Sequence, residues 1–146
     1  METVDCKKQK VMFVCITKSF TGKPGFEDRK GKPYECTQKY WDLKGDNLVK
    51  AKEADFICGT SECEIEGIYK NTSGWKRVKE FENMKNDPEV VGFSSGKNQY
   101  SPHPEYLDRY AFEGEKAPAD IWDLYFRERI PEECKHNQNK VVSFNF

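Results

Sequence analysis

The stretch DFICGTSECEIEGIYKN, Asp55 to Asn71, carries two alternating runs around a polar break. Phe56 and Cys58 alternate first. Beyond Thr60–Glu62, the positions Cys63, Ile65, Gly67 and Tyr69 alternate with Glu64, Glu66 and Ile68. Side chains along a strand point to opposite faces in turn, so a period of two on each side of a short polar link predicts a β-hairpin.

Partners for this hairpin lie on both sides of it. Upstream, KVMFVCITK (Lys10 to Lys18) is a short, nearly continuous apolar run, which at that length reads as a central strand. Downstream, DRYAFEG places Tyr110 and Phe112 on one strand face and ends at Gly114, and the terminal KVVSFNF alternates Val142, Phe144 and Phe146 as a closing strand. APADIWDLYFRERIP is the clearest helix. Pro118 suits its first position, Asp120 its positive end, and Ile121, Trp122, Leu124, Tyr125 and Phe126 form a wide apolar stripe that stops before Pro131. GDNLVKAKEAD predicts a brief helix capped by Asp46. TGKPGFEDRKGKP (Thr21 to Pro33) and GFSSGKNQYSPHPEY are loops by composition. GWKRVKEFENMKNDPE stays open between helix and loop, because Trp75, Val78, Phe81 and Met84 recur every three residues. The mixed order of elements predicts an α+β fold: a single domain over residues 1–146, with a strongly bent or barrel-like mixed β-sheet and two or three short helices.

Composition agrees with a folded chain, since 14% aromatic residues among 146 is too rich for a disordered tail. No apolar run approaches the roughly 18 residues of a membrane span, and METVDCKKQK has no signal-peptide core. The expectation is a cytoplasmic protein with no membrane partner, whose six cysteines are reduced thiols. A net charge of −1 argues against general coating of nucleic acid. The first fifty residues, however, hold 11 Lys and Arg against 7 Asp and Glu, enough for one basic face.

Catalytic and metal motifs are weak. Cys58 and Cys63 could be joined with Cys134 and His136 around zinc, but the second pair is too closely spaced. His103 stands between two prolines, and neither it nor His136 has a neighbouring nucleophile in a known pattern. Glu64 and Glu66 share a strand face, a geometry compatible with a metal-dependent nuclease and equally with a solvated face. SSGK lacks the spaced glycine of a phosphate loop. No catalytic residue, metal or cofactor is therefore expected. Aromatic rings beside cations form the remaining constellation: Tyr34, Lys39, Tyr40 and Trp41; Trp75, Lys76 and Arg77; Arg109, Tyr110 and Phe112. Bases stack on such rings and phosphates pair with such cations, although Trp and Tyr also serve as core, so more than half are expected to be structural.

The spacing of several of these residues resembles PUA-like domains of prokaryotes and phages, the β-barrel grouping with ASCH, EVE and SRA-related members. The resemblance spans residues 10–130 and rests on Tyr34, Thr37, Trp41, 54–59, 67–69, Trp75, Arg109, Phe112 and Gly114. It implies a small barrel that binds RNA or a modified DNA base in a cleft. The expected contacts are Thr37, Lys39, Tyr40, Trp41, Trp75, Arg77, Arg109 and Phe112, with Trp41 and Trp75 lining the cleft, Lys39 and Arg109 meeting phosphate or a base edge, and the loop TGKPGFEDRKGK adding backbone contacts. Gln38 departs from the pattern where an arginine is expected, and residues 80–104 lengthen the link from Trp75 to Arg109. The expected function is a nucleic-acid-binding module without catalysis. The alternatives are a metal-dependent nuclease and a phage or mobile-element protein that blocks a host protein.

Overall fold

The computed structural model describes residues 10–22, 29–62, 64–92, 94–95, 98–99, 103–127 and 142–144. Its centre is a five-stranded mixed sheet of β1 (Val11–Cys15), β2 (Phe56–Ser61), β3 (Glu64–Asn71), β8 (Gly114–Lys116) and β9 (Val142–Phe144), in the order β8-β3-β2-β1-β9. β1 runs parallel to β2 and the other pairs are antiparallel. The hairpin of β2 and β3, the interior position of β1 and the closing strand β9 match the sequence expectations. Among the described residues the sheet is open, with no pairing between its edges β8 and β9.

Both faces of this sheet are covered. Val11, Phe13 and Cys58 pack on one side with Ala117 and Tyr125, while Met12, Val14 and Ile57 pack on the other with Cys36, Leu43, Ala51 and Trp75. The run of apolar residues in β1 follows from this, since a strand buried on two faces loses its alternation. A bulge bends β3. Gly59 pairs with Gly67 and Thr60 with Ile65, which leaves Glu66 as the extra residue and turns Ile65 and Ile68 to the same core.

The helices are short: α1 (Thr17–Thr21), α2 (Pro33–Gln38), α3 (Gly45–Glu53), α4 (Glu82–Lys85), α5 (Pro88–Val91) and α6 (Ala119–Tyr125). α1 to α3 fill the crossover between β1 and β2. Lys44, not Asp46, occupies the N-cap of α3; Asp46 lies in the first turn, where a carboxylate still favours the helix dipole. Pro118 likewise caps α6 from outside, and Leu124 leaves the apolar stripe for solvent. The open segment after Trp75 resolves into β4 (Lys76–Arg77), a 3-10 turn (Val78–Glu80), α4 and α5. A spacing of three is the 3-10 period, and Val78, Phe81 and Met84 share one small core. The predicted strand around Tyr110 is only β7 (Tyr110–Ala111), paired with β4, and the loop after Gly92 contains the ribbon β5 (Ser94–Ser95) and β6 (Asn98–Gln99). Among the described residues, no helix is long and apolar enough to cross a membrane.

Candidate functional site

Pro33 opens α2, where its missing N–H costs nothing, and the fully buried Thr37 donates its hydroxyl back to Pro33 O at 2.7 Å. Trp41 Nε1 then donates to Thr37 O (2.7 Å), satisfying a carbonyl in the last turn of the helix. Between these residues Lys39 and Tyr40 are joined by a cis peptide, and Trp41 bridges to Tyr110.

This segment forms one wall of a cleft of about 720 Å³, whose other walls are Cys15–Ser19, Arg29, Tyr106 and Arg109. Four cations, Lys18, Arg29, Lys39 and Arg109, line it against one carboxylate, Asp42. Tyr40 and Tyr106 stack at 4.6 Å between centroids, and His103 stacks on Tyr106 at 4.8 Å. Cations edge this pile: Arg29 is 5.4 Å and Lys39 Nζ 5.5 Å from the Tyr40 centroid, and Arg109 is 4.8 Å from that of Tyr106.

The four cations differ in what they can reach. Lys39 is buried, and its ammonium is held by Asp87 at 2.8 Å. Arg29 is buried too and donates from Nη1 to Lys39 O at 3.1 Å. Lys18 is exposed and Arg109 half-buried, so these two face a visitor to the cleft. His103 Nδ1 meets Glu105 Oε1 at 2.9 Å, and a hydrogen bond from its own backbone, followed by that contact, holds the Glu105 carboxyl below its usual range.

Of the expected contact residues, the structure brings Lys39, Tyr40, Trp41 and Arg109 together. Thr37 and Phe112 are fully buried, and Trp75 packs edge-to-face on Phe112 at 5.0 Å while its Nε1 donates to Ala51 O at 3.0 Å. The expectation that both indoles line one cleft is corrected for Trp75: Trp41 does line the cleft, its N–H bonded to backbone, whereas Trp75 lies outside it beside Ala51 and Gly74 and packs on the core. Arg77 lies in an adjoining hollow of about 550 Å³ that also reaches Arg109, and donates to Asp108 O at 2.7 Å. Lys18 and Tyr106 escaped the sequence reading, since they come from separate segments with no local pattern of their own, while Arg29 belongs to the loop expected to add contacts.

Among the described residues, no three His, Cys, Asp or Glu side chains are grouped to hold a metal ion. Cys58 and Cys36 are buried, the latter donating from Sγ to Arg29 O at 3.2 Å, while Cys15 is exposed; Cys63, Cys134 and His136 lie outside the described residues. Glu64 and Glu66 do share a neighbourhood, but both point to Arg127, at 3.8 and 3.4 Å. Compared with family models, curated proteins and solved structures, the chain gives no match.

Proposed function

We propose that this chain is a nucleic-acid-binding module that receives a single strand of RNA or DNA in the cleft between α1 and the Tyr40–Tyr106 pair, without chemistry of its own. The observation that carries this reading is the convergence of four cations on one cleft, in a chain whose net charge is −1. Lys18 and Arg109 supply phosphate contacts and the buried Arg29 lies behind them, whereas the charge of Lys39 is balanced by Asp87 and it serves to hold the wall of the cleft in place. Tyr106 already stacks on both Tyr40 and His103, so phosphate contacts rather than new stacking carry the affinity.

A single PUA-like domain belongs to the same proposal. Its support is that the spaced residues of the resemblance meet: Tyr34 donates its hydroxyl to Gly114 O at 3.2 Å and accepts from Gly114 N at 3.0 Å, Trp41 bonds Thr37, and Trp75 packs on Phe112. Anisotropy titrations with labelled single-stranded and duplex oligonucleotides test the function. Single strands are expected to bind in low salt, and Arg109→Gln to weaken them about tenfold through loss of a charged hydrogen bond. Failure of every oligonucleotide to bind in low salt overturns the proposal, and divalent-ion-dependent cleavage replaces it with the nuclease reading.

A further inference from the structure

A second cavity, of about 580 Å³, shares no lining residue with the cationic cleft. It lies between the start of α2, β3, β8 and α6, and we infer that it binds an organic cation carrying a methylated ammonium group. Four rings wall it: Tyr34, Tyr69, Trp122 and Phe126. Tyr34 meets Tyr69 at 5.1 Å and 62°, Tyr69 meets Trp122 at 6.0 Å and 75°, and Trp122 stacks with Phe126 at 5.2 Å. The steep angles at the first two of these junctions fold the walls into a cage rather than a flat platform. Ring faces carry negative potential, and a cage of them attracts a cation from several directions.

Two further observations fix the sign of the occupant's charge. Glu66, the bulge residue of β3, lines the cavity at 9% exposure, and its ion-pair partner is the largely exposed Arg127 at 3.4 Å. A neutral occupant would desolvate this carboxylate further with nothing in return, whereas a cation answers it. The chain also places a cation of its own at the cavity: Lys116 Nζ stands 4.2 Å from the Trp122 ring centroid. Lys116 is exposed and can swing aside, so it acts as an internal competitor that marks the preferred charge.

Methylation follows from the walls. They are mostly apolar carbon: the carboxylates of Glu35, Glu66 and Glu115 supply negative charge around the cavity, but a primary ammonium seated among the four rings sheds water from N–H bonds that ring faces do not fully replace. A quaternary ammonium has no such donors. Aromatic cages recognise choline and methylated lysine on this principle.

The test is calorimetric titration of the full chain with choline and with its neutral tert-butyl isostere, read alongside tryptophan emission in wild type and Trp122→Phe. Choline is expected to bind, with the isostere at least about tenfold weaker and the emission change lost in Trp122→Phe. Glu66→Gln should weaken choline. Lys116→Ala, at an exposed position that leaves the core untouched, should tighten it about two- to fivefold by removing the resident cation. Absence of choline binding, equal binding of the isostere, or weaker binding in Lys116→Ala overturns the inference. None of these outcomes bears on the cationic cleft.

Discussion

A methyl group on Gly59 would collide with Thr37 Oγ1 and come within 3.0 Å of Ile16 Cδ1. Glycine inside a strand ordinarily costs about 0.5–1 kcal/mol relative to alanine, so from sequence alone Gly59→Ala reads as a stabilising change. The structure reverses that sign. Thr37 is fully buried and its hydroxyl is committed to Pro33 O, so it cannot retreat without giving up a buried hydrogen bond. Gly59→Ala is expected to lose about 1–3 kcal/mol by overpacking, measured as a lower urea midpoint. Thr37→Ala removes the obstructing atom, and the double variant should be more stable than the sum of the two single losses predicts. Strict additivity would show that the two side chains do not meet.

Elements were legible where one physical pattern ran long enough. β1, the hairpin, β9 and most of α6 announce themselves through apolar runs or a simple period. The bulge at Glu66 does not, because one inserted residue shifts the alternation without changing composition, and α2 spans only six residues that mix buried Cys36 and Thr37 with half-buried Tyr34 and Glu35. Of the candidate site, Tyr40 and Arg109 were readable as an aromatic beside a cation, whereas Trp75 and Phe112 show the same composition serving a core. Lys39 illustrates the limit best. It is a solvent-seeking side chain by type, yet it ties the segment after α2 to the turn between α4 and α5 through Asp87, with only 9% of its side chain exposed. Removing one partner of such a pair strands the other, so Asp87→Ala should cost about 3 kcal/mol, less than a fully buried pair because Asp87 is 18% exposed. Replacing both by apolar residues, Lys39→Met with Asp87→Leu, should recover much of that loss. Thermal and urea unfolding of the parent protein and these two variants decides this; a double variant as unstable as Asp87→Ala would mean that the pair's charge is not what matters.

Across the whole molecule, acids and bases nearly cancel, so general attraction to polyanions is weak and any binding must come from a local excess. Three of the four cations at the cleft, Lys18, Arg29 and Lys39, come from the basic first third of the chain, and Arg109 is delivered from the acidic last third by the pairing of β4 with β7 and the bridge from Trp41 to Tyr110. The fold thus concentrates charge that the sequence spreads out. Each phosphate neutralised on a single strand contributes roughly 0.7 to the slope of log affinity against log salt. With Lys18 and Arg109 facing the cleft and Arg77 beside it, a slope of about −2 is expected. Lys18→Gln and Arg109→Gln should each flatten it by about 0.7, and together leave a slope of about −0.6, the share of Arg77. Lys52→Gln, on the exposed side of α3 away from the cleft, is the control that should leave the slope unchanged. Titrations at a series of salt concentrations separate the two accounts. If Lys52→Gln flattens the slope as much as Lys18→Gln, affinity reflects total charge, and the cleft has no privileged role.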